Sequence, residues 1–171
     1  REMAEAVALN LLEKHLVTDQ VTLTVGYDIE NVASADFRGE TVTDTYGRKI
    51  PKHAHGSVNL GGHTSSTREI MGKTLALYDS IIDSSLWVRR VTIVANHVIR
   101  EREKKETNYQ QMQLFMEPEA DEEKREKERK MQEALIRVKN KYGKNAILKG
   151  MNLQEGGTTI ERNSQIGGHK A

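Results

Sequence analysis

The sequence has no cysteine, few aromatic residues and no long hydrophobic run. The absence of cysteine excludes a disulfide scaffold and cysteine-ligated zinc, and it suits a reducing compartment, so we expect a cytoplasmic protein. No apolar run approaches the roughly 20 residues of a membrane span, and no signal peptide is found, so no membrane is expected as a partner. Hydrophobic residues make up 36% of the 171 residues, below the roughly 45–50% of an average domain. We therefore expect a compact part joined to a solvated part.

Motifs of common catalytic sites are also missing. The sequence contains neither the glycine-rich lysine loop that cradles nucleotide phosphates nor the serine elbow of hydrolases. Asp79 and Asp83 are one turn apart on a predicted helix, and Asp28 and Glu30 flank a predicted strand end, whereas carboxylates that hold catalytic metal ions converge from rigid neighbouring strands. We therefore predict no catalytic residue, no cofactor and no metal site in this chain, which favours a binding module over an enzyme.

Composition divides the chain into four parts. Residues 1–100 hold nearly all the aliphatic and β-branched blocks and predict a folded domain, and residues 101–117 predict a charged linker. Residues 118–143 predict a charged helix that begins at a proline, and residues 144–171 predict a polar, flexible tail. The sequence starts with an arginine inside a helical pattern and not with methionine, so we expect a fragment of a longer protein.

Hydrophobic periodicity predicts a small α+β domain. The predicted elements are a helix over residues 2–17, strands over 21–27, 56–63 and 86–98, and a second helix that begins at the Ser66-Thr67-Arg68-Glu69 capping box. Residues 28–52 are irregular and predict a long loop with a local hairpin. Both helices are amphipathic and can cover one face of a small β-sheet, so the predicted fold class is α+β.

The face of the sheet away from these helices is predicted to be small, polar and basic. Apart from Val94, its predicted members are Thr22, Thr24, Gly26, Ser57, Asn59, Arg90 and Thr92. A solvated sheet face needs only to be polar, so plain exposure to water is one interpretation. Solvated faces usually carry long charged side chains of both signs, however, whereas this one carries hydroxyls, an amide and an arginine. Such groups donate hydrogen bonds to phosphate oxygens, so the second interpretation is a contact surface for a nucleic-acid backbone.

The chain contains a local basic region, although its net charge is only +1. No acidic residue occurs between Thr45 and Arg68. The basic residues of this stretch are Arg48, Lys49, Lys52 and Arg68, with His53, His55 and His63 beside them, and Arg89 and Arg90 begin the last predicted strand. A basic patch is typical of a polyanion site. A polar loop without a ligand and a metal site at His53 and His55 are the alternatives, and the second is weak because cysteine and nearby carboxylates are missing.

An apolar pair lies within the charged linker, in the segment Gln111-Met112-Gln113-Leu114-Phe115. One interpretation is that Leu114 and Phe115 pack back on the domain. The other is a docking peptide, in which both side chains fill a pocket of a partner and glutamine anchors the backbone.

The predicted charged helix ends with a short apolar stripe. Its members are Met131, Leu135, Val138 and Tyr142, together with Ala134. Such a stripe can dock on the domain itself or on another protein.

Taken in order, these features resemble the little-finger domain, the C-terminal DNA-binding domain, of bacterial Y-family translesion DNA polymerases of the UmuC/DinB type. The matching segments are the first helix, the strand over 21–27, Tyr46-Gly47-Arg48-Lys49-Ile50-Pro51-Lys52-His53-Ala54-His55-Gly56, Thr64-Ser65-Ser66-Thr67 and Val88-Arg89-Arg90-Val91-Thr92-Ile93. Residues 111–115 resemble the sliding-clamp-binding peptide of these polymerases, and residues 142–150 with 166–169 resemble the C-terminus of Gram-positive members.

The resemblance implies backbone contacts to duplex DNA across its major groove, docking on the replication sliding clamp, and a role in damage bypass and the SOS response. The implied DNA-binding residues are Thr22, Thr24, Arg48, Lys49, Lys52, His55, Ser57, Asn59, Arg68, Arg89, Arg90 and Thr92, and the implied clamp-binding residues are Gln111, Met112, Leu114 and Phe115. Catalytic magnesium in the family is held by carboxylates of the palm, which this chain lacks, so we expect no polymerase activity here.

In one respect the sequence departs from the family. The family's domain starts with a strand before the first helix, whereas this chain starts at the helix, so we expect an open sheet edge that a partner chain or the tail fills. The alternative function is a protein-interaction domain with a charged helical tail that does not contact DNA. Lesion specificity, the role of the tail and the oligomeric state are left open.

Overall fold

The computed structural model describes residues 1–103, 118–166 and 169–170. In chain order the elements are α1 (Glu2–Glu13), β1 (Leu16–Tyr27), α2 (Glu30–Ala33), β2 (Thr41–Thr43), β3 (Lys49–Pro51), β4 (Ala54–Thr64), α3 (Thr67–Ile81), β5 (Val88–Asn96), β6 (Ile99–Arg100), α4 (Pro118–Tyr142), α5 (Thr159–Asn163), β7 (Gln165–Ile166) and β8 (His169–Lys170). Short 3₁₀ helices cover Glu101–Glu103 and Gly150–Leu153. The predicted α+β fold class is confirmed. None of the helices in the described ranges is long and apolar enough to cross a membrane.

Strand β1 forms the centre of the main sheet. It pairs antiparallel with β4 and β5, and its first two residues pair with β6. The β6 pairs continue the register of β5 after an interruption at His97, whose φ is 49°. In the described part of the chain no further strand pairs with β4 or β5. Strand β7 of the tail pairs with β8 and not with the main sheet.

The core lies between β1 and the helices α1 and α3, on one face of the sheet. Its buried apolar side chains are Ala4, Ala8, Leu11, Val21, Leu23, Val25, Tyr27, Leu60 and Ile70. Alanines let α1 approach the sheet closely. Gly56 serves the same purpose under α3, because a Cβ there would come within 3.0 Å of Leu77 Cδ1. Since strand residues alternate between faces, the threonines of β1 that lie between its core residues point to the other side of the sheet.

The first helix ends earlier, and the first strand begins earlier, than periodicity predicts. Helix α1 stops at Glu13 because His15, with a φ of 53°, turns the chain into the strand. Leu16 and Val17 then pair with β6, and the carbonyl of His15 accepts a hydrogen bond from the amide of Glu101 at 2.9 Å. The predicted boundaries were wrong because Leu16 continues the helical spacing, while the strand partner that overrides it lies far along the chain.

The predicted hairpin within residues 28–52 is confirmed as β2 and β3, and the short helix α2 was not predicted. Asp44 organises the turn, because its Oδ1 accepts from the backbone amides of Tyr46 and Arg48 at 2.9 Å each. Gly47 takes a φ of 76°, which favours glycine at this position. The turn therefore holds Tyr46 and Arg48 in a defined position at the tip.

The charged helix α4 is docked on the domain through polar contacts. Gln132 is only 4% exposed, and its Nε2 donates to Thr67 Oγ1 at 2.7 Å. Glu128 accepts from Ser66 Oγ at 2.8 Å and from the amide of Arg68 at 2.9 Å. Glu128 thereby caps the N-terminus of α3 from another helix, in addition to the predicted cap by Ser66, which accepts from the third residue of the helix.

The predicted apolar stripe is only partly the packing surface of α4. Leu135 and Val138 are half-buried, whereas Met131 and Tyr142 are exposed. Ala134 is exposed as well, and the buried Gln132 shows that the packing surface of α4 is centred beside the predicted stripe.

The tail is folded against the first turn of α1, in contrast to the flexible tail that was expected. Glu2 accepts from the side chain of Asn152 at 2.9 Å and from the backbone amide of Thr158 at 2.9 Å. Burial by itself would raise the pKa of Glu2, but the hydrogen bonds from Asn152, Thr158 and Thr159 outweigh burial and lower this pKa to about 2. The tail is ordered because it supplies the donors that this carboxylate needs.

Candidate nucleic-acid interface

Short polar side chains cover the face of the main sheet that points away from α1 and α3; we call it the polar face. Its members are Gln20, Thr22, Thr24 and Gly26 from β1, His55, Ser57 and Asn59 from β4, and Arg90, Thr92, Val94 and Asn96 from β5. The residues predicted from sequence to share this face are therefore brought together by the register of three strands. Val94 is the predicted apolar member and is exposed.

Cross-strand hydrogen bonds join the hydroxyl groups of the polar face. Thr22 Oγ1 lies 2.7 Å from Ser57 Oγ, and Thr24 Oγ1 lies 2.9 Å from His55 Nδ1. Asn96 Nδ2 donates to Thr22 Oγ1 at 2.6 Å. Two hydroxyls that bond each other use one of their two protons, so one O–H of the Thr22–Ser57 pair is left to donate to an external acceptor.

Amide side chains extend the same pattern across all three strands. Gln20 Nε2 donates to Asn59 Oδ1 at 2.9 Å, and Gln20 Oε1 accepts from Asn96 Nδ2 at 3.0 Å. Sequence reasoning missed Gln20, which precedes the predicted start of the strand at residue 21. Asn96 was predicted on the same side of the last strand as Arg90 and Thr92 but was not counted among the candidate site residues. The result is a surface on which most of the short polar side chains are hydrogen-bonded to a cross-strand neighbour.

Three arginines meet where the polar face ends. Together with Gly26, Tyr27, Ile29, Asp44 and Ile50, the residues Arg48, Arg89 and Arg90 line a cleft of about 550 Å³, which we call the arginine cleft. The β2–β3 hairpin contributes one wall, and the start of β5 contributes the other. Arg48 and Arg89 are 41 residues apart in the sequence, yet both line the same cleft.

Two of the arginines in the cleft are ion-paired. Arg48 Nη2 lies 2.7 Å from Asp44 Oδ2, and Arg89 Nη1 lies 3.2 Å from Asp28 Oδ2. Hydrogen bonds from backbone amides, together with those from the arginines, lower the pKa of both carboxyls, so both pairs stay ionised at neutral pH. Among the described residues Arg90 has no acidic partner, and its charge is left at the end of the polar face.

Other predicted basic residues lie outside the polar face. Lys49 lies on strand β3 of the β2–β3 hairpin, and Lys52 comes directly after this strand. The Nζ of Lys52 lies 2.7 Å from Oε2 of Glu40. Both members of the Lys52 pair are solvent-exposed, so the pair contributes little to stability. Arg68 lies in the first turn of α3, in the helix layer, and is therefore not brought together with the polar face.

No group of three His, Cys, Asp or Glu side chains within the described ranges can hold a metal ion. The rings of His53 and His55 are 6.2 Å apart and perpendicular, and Nδ1 of His55 is bonded to Thr24. The described residues therefore do not fit the magnesium that the resemblance assigns to the palm of the parent polymerases. The predicted clamp-binding residues, Gln111, Met112, Leu114 and Phe115, lie outside the described residues, and their role stays a prediction.

Comparison with known proteins identifies the family of the chain. The family model described as the impB/mucB/samB family C-terminal domain matches residues 1–114, so the chain belongs to this family and is a C-terminal domain of the Y-family polymerase class. UvrX of Bacillus subtilis (strain 168), a protein named for UV-damage repair, is 27% identical over 170 residues. That alignment covers 99% of this chain and 33% of UvrX, so the chain spans about a third of the length of this relative. No solved structure matches the chain.

Proposed function

We propose that the domain binds duplex DNA through contacts from the polar face and the arginine cleft to the sugar–phosphate backbone, without reading the base sequence. The observation that carries this proposal is the cross-strand ladder of hydroxyl and amide groups that ends at Arg90. Short donors allow a phosphate backbone to approach closely, and phosphate contacts position a protein without carrying sequence information. This property suits a polymerase that has to accept damaged bases.

In this proposal the domain is the C-terminal part of a damage-bypass polymerase and holds the DNA, while the reaction takes place on another part of that protein. The described residues of this chain offer no metal-binding cluster for nucleotide transfer. We therefore expect no primer extension by this chain when it is supplied with magnesium and all four nucleotides. Product that survives stringent purification would contradict this expectation.

The alternative function, a protein-interaction domain that does not contact DNA, receives less support. It relies on a charged helix that is free to bind a partner. Several charged or polar residues of α4 are instead bonded to the domain: Glu128 and Gln132 to the start of α3, Arg129 to Glu101, and Asn140 to Glu13.

Salt-dependent binding to plain duplexes tests the DNA proposal. The full chain is expected to bind duplexes of unrelated sequence equally, with an affinity that falls steeply as salt rises. Arg90→Ala should weaken binding to all of them and reduce the slope of log K against log salt by about one. The matched control is Arg68→Ala, which removes an exposed arginine of the helix layer. Equal effects of the two substitutions, or a loss confined to one base sequence, would contradict the proposal.

We also propose that residues 111–115 bind the replication sliding clamp as an extended peptide. Support comes from the sequence: Leu114 and Phe115 form a large apolar pair between charged flanks that offer nothing to bury them. Burial of each side chain contributes roughly 1.5–3 kcal/mol, and DNA binding by the domain would raise the effective affinity by tethering.

Calorimetry with purified clamp tests this second proposal. Leu114→Ala combined with Phe115→Ala is expected to abolish clamp binding and to leave DNA binding unchanged. The matched control is Leu153→Ala, which truncates an exposed leucine of the tail. If the double variant binds the clamp as well as the parent chain does, the docking proposal is wrong.

A further inference from the structure

One face of α4 is turned away from the domain, and we call it the outer face. The domain side of this helix is marked by Glu128 and Gln132, which bond the start of α3. Successive residues of a helix are rotated by about 100°, so Met131 and Ala134 lie on average about 130° around the helix from Gln132. Met131 is 54% exposed, and Ala134 is exposed as well. The domain therefore uses only part of the apolar stripe of α4.

The outer face has the residue spacing of a contact between two helices. Its members recur at intervals of three and four residues over about 27 Å of helix, which is the spacing of side chains that meet a second helix. These members are Glu123, Lys127, Met131, Ala134, Val138 and Lys141. Val138 is half-buried and the other five are exposed. Apolar side chains occupy the middle of this face and charged side chains occupy its ends, as in an interface with an apolar core and a polar rim.

The two ends of the outer face carry opposite charges. Glu123 and Lys141 are 18 residues apart, so they cannot reach each other along one helix. Among the described residues neither has an ion-pair partner, and the Lys141 Nζ lies 5.1 Å from the ring centroid of Tyr142. A second copy of the same helix in antiparallel orientation brings Glu123 of each copy to Lys141 of the other. A parallel copy would bring like charges together, which costs free energy.

We propose that two copies of this chain associate through their outer faces, with the two α4 helices antiparallel. In this register Met131 of each helix lies opposite Ala134 of the other, and the aliphatic part of Lys127 covers Val138. The same face serves both copies, so the contact is complete with two copies. Since α4 is docked on the helix side of the domain, the polar face of each copy remains open.

The mass of the full chain in solution, measured by sedimentation equilibrium without DNA, tests this inference. The mass is expected to rise with concentration from 19.4 kDa towards twice this value. One pair of helices forms a smaller contact than the standard interface of about 1,600 Å², so the dimer should dissociate on dilution. A mass of 19.4 kDa at every concentration would overturn the inference, also when residues 111–115 of the same chain cover the outer face instead. Because no DNA is present, the outcome is independent of the proposed function.

Charge reversal tests the antiparallel orientation. Glu123→Lys and Lys141→Glu should each weaken the dimer by about tenfold, because each places like charges together at both ends of the contact. The two substitutions combined restore opposite charges and should restore the dissociation constant of the parent chain. The distance between the two positions prevents rescue within one copy, so rescue reports on the contact between copies. If the double variant is as weak as the single variants, the inference is wrong.

Met131→Lys tests the apolar middle of the contact. A charge at this position should abolish the dimer. The monomer should remain folded, because Met131 is 54% exposed there, and its thermal unfolding transition checks this. The matched control is Leu153→Lys, which adds the same charge at a leucine of the tail that is 68% exposed and should leave the dimer intact. An equal loss of the dimer in both variants would overturn the inference.

Discussion

Hydrogen-bonded polar side chains occur on both sides of this domain, but only one side is covered by the described chain. On the helix side, Gln132 of α4 is buried with its amide bonded to Ser65 and Thr67. On the sheet side, Gln20 has an amide bonded to Asn59 and Asn96 and remains at the surface. The same residue type thus closes an intramolecular contact in one place and forms part of an open surface in the other.

The comparison teaches that a polar sequence pattern does not by itself identify a binding surface. The charged run of α4 is more polar than the threonines and serines of the sheet, yet α4 is docked on its own domain. A surface for an external partner is better recognised by polar groups that are already ordered by each other and still exposed. The polar face has this property.

The largest effect on stability is expected from the helix side, at Glu2. The folded state lowers the pKa of Glu2 from 4.5 to about 2, so its contribution to stability is complete above pH 4.5 and is lost as the pH falls through about 2. A shift of this size corresponds to about 3 kcal/mol. Denaturant unfolding at neutral and acid pH should therefore show a smaller loss on acidification for Glu2→Gln than for the parent chain.

Glu13→Gln serves as the control for this prediction, because Glu13 lies at the other end of α1 and bonds Asn140 of α4. It should keep the acid sensitivity of the parent chain. If both variants lose equally little free energy of unfolding on acidification, the contact between Glu2 and the tail is not the source of the acid sensitivity.

A smaller effect on the free energy of unfolding is expected from substitution of Gln132 on the helix side or Gln20 on the sheet side. Gln132→Ala leaves the buried Thr67 hydroxyl without its donor and should lower the free energy of unfolding by about 1–3 kcal/mol. Gln20→Ala leaves groups that water can reach, so we expect a loss of less than about 0.5 kcal/mol. Thermal and denaturant unfolding measure both values, and equal losses would remove the distinction between the two sides.

The smallest effect on stability, together with a measurable effect on binding, is expected at Ser57. Ser57→Ala removes one hydroxyl of the Thr22–Ser57 pair and should weaken duplex binding by the value of one hydrogen bond, about 0.5–1.5 kcal/mol. The free energy of unfolding should change by less than about 0.5 kcal/mol. Ser80→Ala, which removes a serine hydroxyl from the surface of α3, is the control and should leave DNA binding unchanged.

Local patterns predicted the parts of this molecule that depend on neighbouring residues. Thr22 and Ser57 were placed on one face because strand alternation is a property of each short segment. Gln20 was missed because the start of β1 depends on pairing with distant segments, whereas Asn96 lies within the strand predicted over 86–98 and was only left out of the candidate site residues. Docking of α4 on the domain was one of two alternatives predicted from its apolar stripe, but the polar residues that make the contact were missed for the same reason. Glu128 lies in a run of charges that is typical of a solvated helix, and its partner Ser66 is 62 residues away in the sequence.

The contact between Glu2 and Thr158 also has a consequence for folding during synthesis. These residues are 156 positions apart, so the hydrogen bonds between Glu2 and the tail can form only after the tail has been translated. Domains emerge from the ribosome N-terminal end first, at about 5–20 residues per second. If the sheet and its two covering helices assemble on the nascent chain before that point, water hydrates the Glu2 carboxylate until the tail docks. A chain that is truncated before residue 150 would reproduce this intermediate state at equilibrium.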